Sequence, residues 1–552
     1  MLSSRFSETR MAFDHPVTIR TKRPAARKLP PLSLRARMLD ARASSRTKAQ
    51  SNWLRIAMIF AGWHMNRSLF HVTVGLVALA LGLTGCNTDQ HPAYSPGIKY
   101  GVRTDPLVIG QAKDLGEERY DPDRPGVFPL MKLVDMQNPE HPYHAKKKDI
   151  DHKLLRDPGL MTADKKKELE DALEAMFGTP AKPTVNAKEA GLDAKQVEDL
   201  KLDDATLAMG STRYRIHCLH CHGVPGDGRG PTARWINPHP RDFRYGKFKF
   251  QSVDQSTDGS TRPPARADLL RTLREGLENT AMPSFNLLKD GDLESLVSYV
   301  IHLSLRGTVE FSIIKEDFSF NKEKNVLEWN KDGGHNNAKE AVKEYTEFYA
   351  AKWHASNAPN AAIQVAPYPY PTDVNAPDYF DQMRKSVGRG KEIFTAMPSQ
   401  EFKDEIVGKT WKKTLKDAID AAQAKKGETK LTAQELAEVE AAAKQSADDK
   451  ARDLIKAANC VSCHNNYGRQ ALYRFDEWGT LVRPNNLTTG NLRGGKRPVD
   501  IYFRVHSGIN GSGMTAFGKT FAGNEQYLWD LVNFVKVLPY PTMRDKLGLK
   551  ID

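Results

Sequence analysis

The chain has 552 residues, 27% charged and 39% hydrophobic, with five cysteines and a formal net charge of +13. The charge is not spread evenly: residues 1–64 hold thirteen Lys/Arg against three Asp/Glu, and Arg67 adds one more, so about +2 remains from Cys86 onward. The basic balance therefore gives no reason to expect nucleic-acid binding, and no nucleic-acid motif is present.

Residues 1–64 are rich in Ser and Pro and precede a complete export signal, so they read as a displaced start or a long leader. The signal begins at Met65-Asn66-Arg67, continues through an apolar run from Leu69 to Leu83 and ends at Leu83-Thr84-Gly85-Cys86. A basic start, a short apolar core and small residues at the cut describe export, and the run is short for a membrane span. A buried or transmembrane helix ending at a chance cysteine is the alternative. The ending resembles the bacterial lipobox, which implies a lipidated Cys86 anchored on the periplasmic side of a membrane. About 467 residues then remain, enough for two or three compact units.

Residues 87–160 are rich in Pro, Asp, Lys and Tyr with little periodicity, as in an extended tether or an arm laid over a partner. Thr162 to Phe177 reads as an amphipathic helix carrying Leu169, Ala172, Leu173 and Met176, ended by Gly178 and Pro180. A second helical stretch runs from Asp193 to Met209. Gly210, Tyr214 and Cys218 then recur at steps of four, placing a small residue and an aromatic on the helix face that leads to a cysteine.

That cysteine opens Cys218-Leu219-His220-Cys221-His222, echoed by Cys460-Val461-Ser462-Cys463-His464. Cys-x-x-Cys-His is the c-type haem attachment pattern. On a short turn the two thiols reach the two vinyl groups of one porphyrin, and the next imidazole faces the iron. A zinc ribbon also uses Cys-x-x-Cys, but its halves lie about 15–20 residues apart, and these motifs lie far beyond that. A thioredoxin-like redox pair is a third reading, with no strand-helix-strand pattern nearby.

Downstream of His222, Gly223 to Gly230 is a turn-rich loop suited to close passage around a haem edge. Met282, in Ala281-Met282-Pro283-Ser284-Phe285, is the sole methionine between His222 and Val300 and is the candidate sixth ligand. A loop methionine filling a gap is its bland reading, and His239, between two prolines, is a rival. Asp292 to Leu303 reads as a closing helix with Leu293, Leu296, Val297, Val300 and Ile301 in one stripe.

The run from Gly210 to Leu303 resembles a class I cytochrome c domain. Pro238-His239-Pro240-Arg241-Asp242-Phe243 through Gly246-Lys247-Phe248-Lys249-Phe250, and Asp268-Leu269-Leu270-Arg271-Thr272-Leu273, are similar to periplasmic members in bacterial respiratory chains. The resemblance implies a small helical wrap, His222 and Met282 as axial ligands, and electron transfer.

Residues 304–385 read as a connector with one polar helix, Asn337 to His354, and a stiff spacer at Pro367-Tyr368-Pro369-Tyr370-Pro371. Gly390-Lys391-Glu392-Ile393-Phe394 resembles the opening helix of the same family. Its first cysteine would fall at 398 but falls at 460, so about 62 residues are inserted. With Thr432 and Glu435 as a capping box, the insert is expected to form a helical hairpin. Asp500-Ile501-Tyr502 and Gly508 to Met514 look like the distal half of a second such domain. Met514 is the matching ligand, with Thr515 where the family often has proline. His506 and Met543 are rivals, and Asn524 would cap a last helix.

The expected architecture is all-α: a leader at 1–85, tether and accessory helices at 86–203, and cytochrome c domains at 204–305 and 386–540. A connector at 306–385 joins them, and the second domain carries the insertion at about 399–459. Two covalent haem c groups are expected on Cys218, Cys221, Cys460 and Cys463, with His222, Met282, His464 and Met514 on the irons and lipid on Cys86. The comparison extends to the cytochrome c subunits of alternative complex III and oxidase-linked dihaem cytochromes. It implies a non-enzymatic electron carrier between a quinol-oxidising complex and a terminal oxidase or soluble cytochrome. A dihaem peroxidase and a scaffold subunit are the other two readings.

Overall fold

Local chemistry sets the helix ends in the computed structural model, which describes residues 94–105, 107–108, 155–255, 261–330, 334–478 and 480–551. Cys86 and most of the 87–160 arm lie outside these residues. Helix α1 (Ala163–Phe177) starts after Thr162, buries Leu169, Leu173, Met176 and Phe177 along one face, and stops at Gly178 with φ 68°. The short α2 (Ala187–Ala190) follows. The stretch expected as one helix from Asp193 to Met209 is two. Asp193 and Gln196 form a capping box that opens α3 (Ala194–Leu200), and Lys201 closes it in the left-handed region. Asp203 then accepts from the Thr206 N–H and opens α4 (Asp204–His217). A second N-cap within the run outweighs continuous helical composition.

The remaining helices are α5 (Leu219–His222), α6 (Arg266–Glu275), α7 (Asp290–Ser312), α8 (Ala338–Ser356), α9 (Tyr379–Thr395), α10 (Gln400–Lys426), α11 (Ala433–Ala457), α12 (Pro498–Ser507), α13 (Gln526–Val537) and α14 (Pro541–Lys546). Strands are confined to small two-stranded pairs, the longest joining Phe318–Asn321 to Val326–Trp329. Among the described residues no helix is long and apolar enough to cross a membrane.

Two hydrophobic cores form, one from residues between Val102 and Trp353 and the other from residues between Ile363 and Leu549. In the first, α4 crosses α7 at Gly210, where a Cβ would lie 2.2 Å from the Ser295 carbonyl oxygen. In the second, α9 crosses α13 at Gly390, where a Cβ would lie 2.2 Å from the Asp530 carbonyl oxygen. Four residues on, Tyr214 meets Tyr299 at 5.2 Å between ring centroids, and Phe394 meets Phe534 at 5.3 Å. The two crossings share one register.

The expected connector at 306–385 is largely part of these cores. Helix α7 runs past Leu303 to Ser312 because it is covered on all sides. Its buried Arg306 donates to the Gly101 carbonyl, and its Glu310 accepts from the Arg103 N–H at 2.7 Å. Helix α8 buries Ala338, Ala341, Val342, Ala350 and Trp353 instead of standing as a polar spacer. The Pro-Tyr segment is docked on α13: Tyr368 donates to Asn533 Oδ1 at 3.0 Å, Tyr370 to Asp530, and the Trp529 indole to the Ala366 carbonyl at 2.9 Å.

The described part of the arm, 94–105, is likewise packed on its own chain. Burial alone would raise the Asp105 carboxyl, but Arg103 at 2.5 Å and Arg244 at 3.0 Å hold it well below the usual carboxylate range. Helices α10 and α11 pack side by side as a hairpin rooted in the second core by Phe402, Ile406, Ala451 and Ile455.

Two outcomes are expected. A Gly→Ala change in an open helix position stabilises by about 0.5–1 kcal/mol, as expected for Gly388→Ala, where a Cβ meets nothing within 4 Å. Gly210→Ala and Gly390→Ala should instead lose about 1–3 kcal/mol by overpacking, read from denaturant midpoints. His335 lies 3.0 Å from both Asp317 and Glu344. Burial opposes its charge, yet these hydrogen bonds raise its pKa. Its contribution is therefore complete below pH 6.5 and lost as pH climbs through the raised value. The difference in melting temperature between native protein and His335→Gln should shrink over that window.

Candidate functional site

Helix α4 delivers the first motif. The Cys218 N–H still bonds to the Tyr214 carbonyl at 2.8 Å, and the chain then turns once through α5 to His222. The Tyr214 hydroxyl donates to the Gly223 carbonyl at 2.9 Å, closing the turn beyond the histidine. Cys218 and Cys221 are both free thiols. Burial pushes the Cys218 thiol up to about 12.

His222 Nδ1 lies 3.0 Å from the Arg241 carbonyl, to which it donates, and the ring stacks on Phe243 at 4.6 Å. Burial lowers its pKa to about 4, so the imidazole is neutral. With Nδ1 carrying the proton, Nε2 keeps its lone pair for a metal.

The Met282 loop is closed by its own backbone. Leu277 N–H donates to the Met282 carbonyl at 3.1 Å, Met282 N–H to Thr280 Oγ1 at 3.1 Å, and Phe285 N–H to the Leu273 carbonyl at 2.8 Å. Met282 packs, half-buried, on the same core as Cys218.

The second motif arrives from the hairpin rather than from an unbroken helix, and forms a short 3-10 turn, Cys460–Ser462. Its details repeat the first. His464 N–H bonds to the Cys460 carbonyl at 2.8 Å, as His222 N–H bonds to that of Cys218 at 2.9 Å. His464 Nδ1 lies 3.1 Å from the Asn485 carbonyl. Burial raises the Cys460 thiol to about 12.

The Met514 loop has Ile509 N–H on the Met514 carbonyl at 3.0 Å, Met514 N–H on Ser512 Oγ at 3.4 Å, and Phe517 N–H on the Val505 carbonyl at 3.1 Å. Thr515 in place of proline leaves this pattern unchanged. Met514 and Cys460 both pack on the second core.

The rival ligands sit differently. His239 Nδ1 is 3.0 Å from the Pro240 carbonyl. His506 ends α12 with its ring near-parallel to Tyr502 and against Gly518. Met543 lies on α14, packed on the second core.

The sequence reading missed Arg241 and Asn485, whose role is played by backbone carbonyls. The available signal was a proline directly before each, Pro240 and Pro484.

Among the described residues, no three His, Cys, Asp or Glu side chains gather where they could hold a metal ion, so the zinc-ribbon reading finds no cage. The residues fit a haem instead: paired free thiols, a neutral oriented imidazole and a thioether on one apolar core. In the second half, Trp478 Nε1 and Asn510 Nδ2 are buried and find no acceptor among the described residues. Haem propionates would be suitable acceptors for both.

Residues 205–300 match the family model described as cytochrome c oxidase, cbb3-type, subunit III. The chain carries a cytochrome c domain. Covalently bound haem c and electron transfer follow from that domain. No curated protein matches the chain. A chain of the reducing HAO-like protein complex of Kuenenia stuttgartiensis is similar over 60% of this chain and 95% of its own, at 18% identity. Its TM-score is 0.33, too low to bear on the fold.

In the cytochrome c domain Gly276 has φ 70° and ψ −169°, and its counterpart Gly508 has φ 70° and ψ −165°. This region is nearly exclusive to glycine. A Cβ would also lie 2.7 Å from Pro283 C at Gly276 and 2.5 Å from the Met514 carbonyl at Gly508. Gly276→Ala and Gly508→Ala should each lower stability by about 1–3 kcal/mol, with amide exchange accelerating locally in the 277–285 or 509–517 loop.

Proposed function

We propose that the protein carries two haem c groups and conducts electrons between a quinol-oxidising donor and a terminal oxidase or soluble cytochrome. Cys218 and Cys221 hold one haem with His222 and Met282 on its iron; Cys460 and Cys463 hold the other with His464 and Met514. The observation that carries this reading is the repetition of one hydrogen-bonding scheme in both halves, from the histidine's carbonyl partner to the methionine loop. Haem held this way supplies reversible one-electron chemistry at iron.

The chain's own contribution is positional. The Arg241 and Asn485 carbonyls orient the two imidazoles and raise their basicity. The apolar cores exclude water, which bears on the potential. With a histidine and a methionine both available to each haem iron, no position would be left for a substrate, so the protein is read as a carrier and not an enzyme. The oxidase named in the matched family description supports a place beside an oxidase. In this reading lipid on Cys86, an export-signal cysteine, holds the molecule at the periplasmic face of a membrane.

Intact mass followed by potentiometric titration tests the reading. Two covalent haems are expected, one of them lost in the Cys460→Ala/Cys463→Ala variant. Two transitions at potentials suited to histidine-methionine ligation should appear, with the sulfur-to-iron charge-transfer band in the oxidised protein. Met282→Leu and Met514→Leu should each remove about half of that band and lower one transition. A single haem, or a band untouched by either change, would overturn the assignment.

A further inference from the structure

Among the contacts between the two halves, one side chain lies against both candidate sites. Trp478 belongs to the second half, between the strands Arg474–Phe475 and Leu481–Val482. The Arg241 guanidinium lies 3.5 Å from its ring centroid, and Lys249 Nζ lies 5.5 Å away. Lys249 is paired with the buried Asp476 at 3.0 Å, and Lys247 with Glu477. Tyr245 meets the indole edge-on at 6.4 Å. The cavity beside Arg241, Tyr245 and Trp478 is about 10 Å³, close to the smallest space that admits one water.

The other side of the indole is equally close-packed. A Cβ on Gly511 would lie 2.2 Å from Trp478 Cζ3, and the Glu477 N–H bonds to the Gly511 carbonyl at 2.9 Å. Gly511 lies inside the Ile509–Met514 loop. Arg241 is the residue whose carbonyl accepts the hydrogen bond from His222 Nδ1. One indole therefore separates the hydrogen-bond partner of the first histidine from the loop of the second methionine.

We propose that the Arg241–Trp478 stack is a positioning junction that couples the two haem sites, so that the geometry of either site is felt at the other. The proposal rests on the dihaem reading. A guanidinium held over an indole in a water-poor interface is a strong and directional contact. Because the Arg241 side chain is clamped, the carbonyl on the same residue is held in place against His222. Because the indole fills the space above Gly511, the Met514 loop cannot shift without moving Trp478. Arg241 reaches His222 through its backbone carbonyl, while its side chain lies on Trp478.

The test uses the intact protein, with its two redox transitions assigned by the Met282→Leu and Met514→Leu variants. Trp478→Leu changes no charge and removes the ring. It should shift the potential of the first site as well as the second, while Trp478→Phe, which keeps a ring face but not the N–H, restores most of the first site's native value. Arg241→Lys keeps the charge and loses the planar stack. It should weaken the methionine charge-transfer band of the second site, although Arg241 belongs to the first half.

Haem counting on each sample separates the outcomes. One haem in the native protein overturns the dihaem reading. Two haems whose transitions respond only to changes in their own half overturn the junction alone. Should Trp478→Leu fail to fold, the Arg241→Lys result decides by the same criterion.

Discussion

Two helices can bring their backbones into contact only where one of them lacks a side chain. At Gly210 and at Gly390 that condition is met, with a carbonyl of the opposing helix occupying the space a Cβ would need. The crossing fixes where the first helix of each half must end relative to the last, and the aromatic pair four residues on locks the rotation. In the first half the cysteines follow on the same helix, so the site is positioned directly by the crossing. In the second half they follow a two-helix detour, and the same endpoint is reached because Phe402, Ile406 and Ile455 root the hairpin in the core.

The sites are built largely from backbone. His222 and His464 each donate to a carbonyl that follows a proline, and each methionine loop is closed by its own N–H and C=O groups around a glycine. Side chains supply sulfur and imidazole, while the main chain supplies their orientation. Such a design tolerates wide change in the intervening sequence, which explains how two halves with different spacers converge on one scheme. A methionine loop with threonine in place of proline keeps its shape for the same reason.

The interface between the halves is polar but water-poor. Arg271 spans Asp268 and Asp500 at 3.6 and 3.2 Å, joining the helices that precede the two methionine loops. Lys249 is pushed down to about 8 by burial and by neighbouring Arg241, despite its partner Asp476. Ion pairs of this kind fix register more than they add stability.

The haem motifs, the methionine candidates, α1, the Thr432 cap and the paired helices of the insert were legible in sequence, because each depends on residues a few positions apart. The attachment turn needs two thiols and an imidazole at set spacing, and a cap needs one acceptor beside free N–H groups. What lay beyond the sequence were contacts between residues more than a hundred positions apart. The connector at 306–385 read as one polar helix and a stiff spacer, yet α8 is buried since α1 and α7 cover it. The Pro-Tyr segment looked extended and free, and it is extended, but Asp530 and Asn533 take its hydroxyls. Arg241 showed only the proline before it because its contribution is a carbonyl, and Trp478 showed no signal because its neighbours come from the other half. The sequence by itself determined the two Cys-x-x-Cys-His motifs and their candidate methionines, since these are carried by residue identity and short spacing. The tertiary structure alone decided which backbone atoms orient the two imidazoles and which side chains join the halves, since those depend on how distant segments pack.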